Sequence, residues 1–568
     1  MTPRAVTERG RVMTDSEQHG IRRRDVLRTG AVAGVAAALG GVTSTAATAA
    51  GQGQGVNLER LILTNGQIHT MDADNRVVDE VAIEDGRFVE VGKVTTRAGT
   101  AVNLGGHVVV PGIIDNHNHI VLMGNRPGHH TPLENAYSIA DVQQTYAARA
   151  QGIPAGAWIT TIGGFHRNHL VPPPDAPRLP TLAELDAAVP DNPAYVSEGF
   201  SGPSVTNTLG KAFFEPRGIV VGADGAIAPG TATGQATLAL RQTLLTFDER
   251  KRGVRDAMAY AVGLGVTTHL DQGAFQAVGA PSDGAAHEDN FTMHLPFLSV
   301  YDDGDGIVRL RINFLHMDPT LEVPTLTERL KNAFPFFGND WVRTGGIGEF
   351  LAQGLGPNWL EAARRVAQAG WRGEVHSLSP TDFQTEIQGF ETVNAEFPIT
   401  DLRWVVAHVP FITEDYVNRL KAVGGGLSLT GWRYLAGSPT GNGPPFRMIA
   451  NNGINAGMSS DGMQIAPMNP WLHMYYATTG LNARGVLING GQQITRQEVL
   501  ELYTSRNGWF LREEDQLGSI EEGKLADLVV LNGDFFTVPD EELKQTRSVL
   551  TIVGGQVVHD SGDVGRRP

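Results

Sequence analysis

Beyond residue 60 the chain alternates short apolar runs with amphipathic stretches. LILTNGQIHT and VAIEDGRFVEVG are each split by a dipeptide, Asn65-Gly66 and Asp85-Gly86, of the kind that turns a two-stranded hairpin. A third run of this style, LTIVGGQVVHD, lies near the other end with Gly554-Gly555 at its turn. Between them GVTTHLDQG, LRINFLHM, GGIGEFLAQG, WRGEVHSL, LRWVVAHVP and INAGMSSDG read as strands. ERKRGVRDAMAYAVGLG and NWLEAARRVAQAG read as helices. This alternation predicts βα units and a parallel sheet, with enough units for a closed barrel. The terminal hairpins would pair into one small β domain built from both ends. The connections 124–207 and 320–337 are long and rich in Pro and Gly, as expected of loops that shape a substrate site.

The polar residues that interrupt this pattern fall where the strand-like runs end. PGIIDNHNHI puts His117 and His119 two apart at a strand end, so both side chains share a face and could converge on one divalent ion. Alone, H-x-H is a weak signal. Later runs add His269 and Asp271, His316, Glu349, His376, His408 and Asp461. Burying an unpaired polar group costs several kcal/mol, so a repeated imidazole or carboxylate at successive strand ends points to a shared site rather than to separate core residues.

Composition narrows the chemistry. At 568 residues the chain is expected to hold more than one domain, and 41% apolar with 19% charged residues reads as a soluble globular protein. A formal charge of -16 argues against nucleic acid as a partner. With no cysteine, disulfides, thiol nucleophiles and thiolate-bound zinc are excluded, leaving His, Asp, Glu or a modified Lys as ligands. The opening segment has a basic start, an Ala/Gly/Val middle and small residues around Ala47–Ala49, the architecture of an export signal. Arg23-Arg24 in RRRDVLR reads as a twin-arginine signal over residues 1–49. That segment carries seven Arg against four acids, so its removal takes the formal charge to -19. The reading therefore places the mature protein in the periplasm or outside the cell, touching the membrane only through its signal.

Three pieces of the chain resemble the amidohydrolase superfamily, and within it the YtcJ-like branch that includes N-substituted formamide deformylases. PGIIDNHNH is similar to the first-strand motif PG-hydrophobic-D-x-H-x-H. DQLGSIEEGKLADLVVLNGD, from Asp515, resembles the C-terminal signature. LILTNGQIHTMD and the strands up to VVVPG resemble the N-terminal β half. The similarity runs from about Leu61 to His559. It implies an α/β fold: a metal-dependent (β/α)8 TIM barrel with a small β-sandwich built from both termini. The boundaries drawn are 57–110 for the N-terminal half of the sandwich, 111–478 for the barrel with inserted loops, and 479–568 for a C-terminal helix and the other half of the sandwich.

The resemblance also implies site roles. His117 and His119 match ligands of one ion, and His376 and His408 match ligands of a second. Asp461 matches the final-strand aspartate that binds metal and acts as general base. Glu349 falls where many relatives carry a bridging carboxylated lysine. The metal would be zinc, with iron or manganese as alternatives, bound as one ion or two. This sequence departs from the family pattern at TTHLDQG, at EGFSGPSVTN, where Ser201 replaces a histidine, and at Ala352-Gln353-Gly354, so substrate choice does not carry over. From the residues alone, His166, Trp432, Arg433 and Tyr434 are the substrate-contact candidates. Asp115 is expected to support the first-strand ligands, His129-His130 to be a loop feature, and His69 and His559 to be structural. The expected activity is hydrolysis of a non-peptide C–N bond in an amide, N-substituted formamide or cyclic amide. A lactone or ester hydrolase, a lyase or isomerase on the same metal, or a non-catalytic binding protein are the alternatives. Expected partners are a small-molecule substrate and the twin-arginine export machinery, with homo-oligomers left open.

Overall fold

Eight parallel strands carry the middle of the chain: β1 Ile113–Asn118, β2 Val266–Asp271, β3 Arg309–Phe314 and β4 Val342–Ile347, then β5 Glu374–Ser377, β6 Val405–His408, β7 Gly426–Thr430 and β8 Asn455–Ser459. In this computed structural model, which describes residues 60–564 apart from 174, 200, 275–290 and 464, they form two four-stranded sheets in the orders β4-β3-β2-β1 and β5-β6-β7-β8. The export signal expected over 1–49 lies outside the described residues. A parallel bridge from Ile347 to Gly373 links the end of β4 to the entry of β5. At the opposite edges, the Asp461 amide donates to the His117 carbonyl at 2.9 Å and the His119 amide to the Gly462 carbonyl at 2.5 Å. Four of the eight strands, β1, β2, β6 and β7, are buried along their whole length, as expected where helices cover a parallel sheet.

Helices stand between consecutive strands, at Leu295–Asp302, Pro324–Asn332, Pro357–Gln368, Pro380–Glu396, Glu414–Ala422 and Phe446–Asn452. The helix leading into β2, Phe247–Leu264, shows why the sequence folds this way. Thr246 caps it by accepting from the Glu249 amide, and Val254, Ala257, Met258, Ala261 and Val262 bury one stripe at helical spacing. It ends at Gly265, whose φ of +87° suits glycine and whose missing side chain leaves room for Val529. Among the described residues no helix is long and apolar enough to cross a membrane.

The connection from β1 to β2 is more ordered than its Pro and Gly content suggests. It holds a five-stranded sheet, from His129–His130 to Ala226–Ile227, and its folded part runs on to the helix Thr231–Leu244. Two apolar clusters of its own, one around Tyr146, Leu185 and Val196 and one around Trp158, Phe214 and Leu240, stabilise it.

The two ends of the chain meet in two further sheets. One is four-stranded, from Arg60–Thr64, Val81–Glu84, Arg87–Val91 and Thr100–Asn103. The other is six-stranded and joins Gln67–His69, Val77–Val78 and Val108–Pro111 to Leu528–Leu531, Ser548–Val553 and Gln556–Asp560. One apolar cluster takes Leu61, Ile83 and Phe88 from the first and Val109, Leu528 and Ile552 from the second. Asp85-Gly86 and Gly554-Gly555 turn hairpins as expected, all four residues at positive φ. Asn65-Gly66 does not. The strands on either side of it belong to different sheets, and a Cβ at Gly66 would lie 2.7 Å from Leu104. The dipeptide there carries the chain from one layer to the other.

Candidate metal centre

The first-strand motif is built by close packing. At Gly112 a Cβ would lie 2.2 Å from the Thr267 hydroxyl, so only glycine lets β1 approach β2 at this point. β1 then delivers His117 and, just past its end, His119, both fully buried. Asp115 lies on the same face of the strand and ties β1 to β8, accepting from the Ser460 amide at 3.0 Å and from the Ser460 hydroxyl. Burial pushes the Asp115 carboxyl up to about 6 against these hydrogen bonds. The His117 amide also donates to Asp115 at 3.4 Å, so this carboxylate contacts one first-strand candidate directly and, through Ser460, the neighbour of Asp461.

Glu349, two residues beyond β4, faces four imidazoles. Its carboxylate lies 3.3 Å from Nε2 of His117, His119 and His408, and 2.9 Å from Nδ1 of His376. Asp461, beyond β8, stands 3.2 Å from His119 Nε2 and 3.8 Å from His117 Nε2. Two overlapping sets have their donor atoms close enough to share an ion: His117, Glu349 and His408, and His117, His119 and Asp461. His376 reaches Glu349 and its ring lies 4.6 Å from that of His408, but it belongs to neither set. His408 and Asp461 both hold left-handed backbone, at φ of +72° and +54°. Such conformations cost of order 1–3 kcal/mol and collect at functional sites.

Each ring is aimed by what holds its other nitrogen. His117 Nδ1 lies 2.6 Å from Glu374, His119 Nδ1 2.7 Å from the Gly273 carbonyl, and His408 Nδ1 3.3 Å from the Thr430 hydroxyl. All three turn Nε2 toward Glu349, to which His376 presents Nδ1. Asp271 works at one remove. It accepts from the amides of Gly273 and Val121 and lies 2.7 Å from His294 Nε2, fixing the turn whose carbonyl holds His119.

These residues fit a divalent cation. His117 Nε2 is buried with no hydrogen-bond partner, aimed at two carboxylates. Burial favours neutral imidazole, yet Glu349 and Glu374 together push His117 up to about 10, and Asp461 and Glu349 push His119 well above its ordinary value. Burial likewise opposes ionisation of Glu349, but His376, His117 and His119 hold it well below the carboxylate range. The acids thus call for positive charge at one point, and the nitrogens facing them are the borderline-soft donors that zinc, iron or manganese accept.

The other sequence candidates lie elsewhere. His269 is buried in the middle of β2, where burial pushes it down to about 3, and it does not join the ligand group. His316 lies 2.9 Å from the Thr325 hydroxyl, outside both sets. His129 stands against Arg149 and Arg252 in a two-residue strand with His130, away from the ligands. His69 stacks on Phe536, and His559 lies 3.3 Å from the Ser548 carbonyl, both structural positions. His166 caps a short turn with its Nε2 4.0 Å from Glu198. Arg433 follows β7 with its guanidinium 4.2 Å over Trp432 and 5.4 Å from Phe411, both partly exposed. Tyr434, expected as a substrate contact, is 1% exposed between His169 and Tyr475, a packing position. Glu374 is not among the candidates that strand ends pick out. Its signal was the spacing E-V-H, which puts it on the face of β5 that carries His376.

The model of the amidohydrolase family matches residues 100–559. N-substituted formamide deformylase of Arthrobacter pascens is 24% identical over 87% of this chain and 97% of its own. Putative amidohydrolase YtcJ of Bacillus subtilis (strain 168) is 20% identical over 88% and 99%. Among solved structures, an uncharacterized metal-dependent hydrolase from Pyrococcus horikoshii OT3 superposes with a TM-score of 0.57 at 17% identity, covering 85% of this chain and 99% of its own. Atrazine chlorohydrolase from Arthrobacter aurescens TC1, complexed with zinc, gives 0.53 at 16% identity, covering 88% and 95%. The chain belongs to the amidohydrolase family and is a metal-dependent hydrolase acting on carbon–nitrogen bonds.

Proposed function

We propose that the two parallel half-sheets close into a (β/α)8 barrel capped by a β-sandwich from both termini, and that its mouth hydrolyses a non-peptide C–N bond in an amide, N-substituted formamide or cyclic amide. The observation that carries this reading is Glu349 facing His117, His119, His376 and His408 from strands of both half-sheets, with Asp461 beside it. The bridge from Ile347 to Gly373 and the hydrogen bonds between residues 461–462 and 117–119 support closure at both seams.

His117, His119, Glu349, His408 and Asp461 would hold the cation, with His376 completing a second position if two ions bind. A divalent ion there, zinc by preference, would supply Lewis-acid polarisation of the carbonyl and would lower the pKa of the attacking water. Glu349 balances that charge from the centre of the group. Asp461 takes the proton from water as it adds to the carbonyl carbon and returns it to the nitrogen as the C–N bond breaks, yielding a carboxylic acid and an amine. His166, Trp432 and Arg433 would contact the substrate. Arg23-Arg24 supports export through the twin-arginine machinery with the leader ending near residue 49.

A turnover screen of the zinc-loaded enzyme against N-formyl amines, N-acyl amines, cyclic amides and lactones tests the reading. Turnover of one of the nitrogen compounds is expected. Activity confined to lactones would overturn the C–N assignment.

A further inference from the structure

We infer that Glu374 is a positioning residue that locks His117 as a fixed Nε2 donor, acting within a buried relay of Arg372, Glu374 and His117. The inference rests on the proposed reading of this group as a cation site. Glu374, Arg372, Asn313 and His117 are each 0% exposed. One carboxylate oxygen of Glu374 lies 2.6 Å from His117 Nδ1. The other accepts from Arg372 Nη2 at 2.5 Å and from Asn313 Nδ2 at 3.1 Å. Both oxygens are thus engaged, so Glu374 acts on the site through the imidazole rather than as a ligand itself.

The surroundings are shaped for this arrangement. A Cβ at Gly348 would lie 2.8 Å from the Glu374 Cβ, and one at Gly345 would lie 2.7 Å from the side-chain Oδ1 of Asn313. Asn313 is held in turn by donating to Gln272 at 2.8 Å and accepting from the Gly346 amide at 2.5 Å. Small residues in TGGIG therefore leave room for a buried ion pair whose remaining contact is His117. A buried ion pair is weak evidence for stability, so the relay calls for another reason to be there. A carboxylate accepting from Nδ1–H fixes the tautomer with the lone pair on Nε2 and raises its basicity. His119 has only a backbone carbonyl in that position and His408 a hydroxyl. His117, which belongs to both ligand sets, is the ring given the charged partner.

Zinc affinity of the full chain, by competition with a chromogenic chelator, and the visible absorption spectrum of the cobalt-loaded protein test the inference. Glu374→Gln keeps the volume and removes the charge. It is expected to weaken zinc binding by about 10–100-fold and to shift the cobalt bands. Glu374→Asp is expected to recover part of the affinity. Should Glu374→Gln fail to fold, the double variant Arg372→Met with Glu374→Gln removes both charges and carries the same expectation. Wild-type affinity and an unshifted cobalt spectrum in the folded variant would overturn the relay. A wild-type chain that binds neither zinc nor cobalt would overturn the cation site itself, a separate failure.

Discussion

The two ends of the same parallel strands treat buried charge in opposite ways. At the amino ends buried arginines are paired with carboxylates of the protein itself. Arg309, which opens β3, pairs with Asp527 through two hydrogen bonds of 2.7 and 2.8 Å. Arg311 pairs with Glu513 at 2.6 and 3.0 Å, and Arg343 of β4 adds a third bond to Glu513 at 2.9 Å. Spare donors of Arg311 reach the carbonyls of Leu310, Trp341 and Asp340. At the carboxyl ends, carboxylates face imidazole nitrogens at 2.9–3.8 Å, and His117 Nε2 has no hydrogen-bond partner. Closed pairs hold the strands to the terminal segments, whereas the carboxyl-end group converges its donor atoms on one point. The number of buried charges does not separate structure from function in this molecule. Whether the protein itself satisfies them does.

That contrast can be broken at either end. The largest expected effect is at the mouth: Asp461→Asn should lower kcat by about 10²–10⁴-fold while metal content, read by mass spectrometry of the digested protein, stays within twofold. Asparagine tolerates the left-handed backbone at this position, so the fold should survive. An unchanged kcat would remove Asp461 as the base. Next comes the foot. Asp527→Ala strands the Arg309 guanidinium and should cost about 3–5 kcal/mol of stability, with kcat per folded molecule unchanged. Equal loss of Tm and of kcat would erase the division between the two ends. Arg433→Ala should raise KM several-fold with little change in kcat, because Arg433 stands beyond the ligands. A pure kcat effect would place it among the reacting groups.

The smallest effect sharpens the comparison with a third kind of buried acid. Glu134 is 1% exposed, and its donors are the Tyr260 hydroxyl and the backbone amides of Met468 and Asn469. Burial pushes its carboxyl up to about 8 from 4.5. Between those values the native protein keeps a proton that the unfolded chain has lost, so this group makes stability fall as pH rises from about 4.5 to 8 and adds no slope above. Glu134→Gln should lack that slope, and its Tm should gain on wild type by a few degrees between pH 5 and 8. Parallel curves would contradict the assignment.

Much of this was legible in the sequence, for reasons that can be named. β6 is legible because WVVAH is an apolar run that ends in a histidine, the pattern of a strand buried on both faces with chemistry at its tip. His117, His119, Glu349, His376, His408 and Asp461 can be singled out because each lies at the end of such a run, and the structure brings them together. Glu374 cannot, because a charge inside a strand looks like a solvent-facing position until the fold shows Arg372 and Asn313 around it. Asn65-Gly66 misled for a related reason. A two-residue turn signal fixes only the local backbone, and the Leu104 contact that parts the flanking strands is about forty residues away. Tyr434 looked like a rim residue because it follows β7 by four positions, and only the packing of His169 and Tyr475 around it shows otherwise.

Metal analysis of the purified full chain, wild type beside His117→Ala, tests the central claim most directly. The account predicts at least one zinc, iron or manganese ion per wild-type chain, and loss of that metal with loss of turnover in the variant. A metal-free wild type, or a His117→Ala protein with undiminished metal and activity, would contradict it.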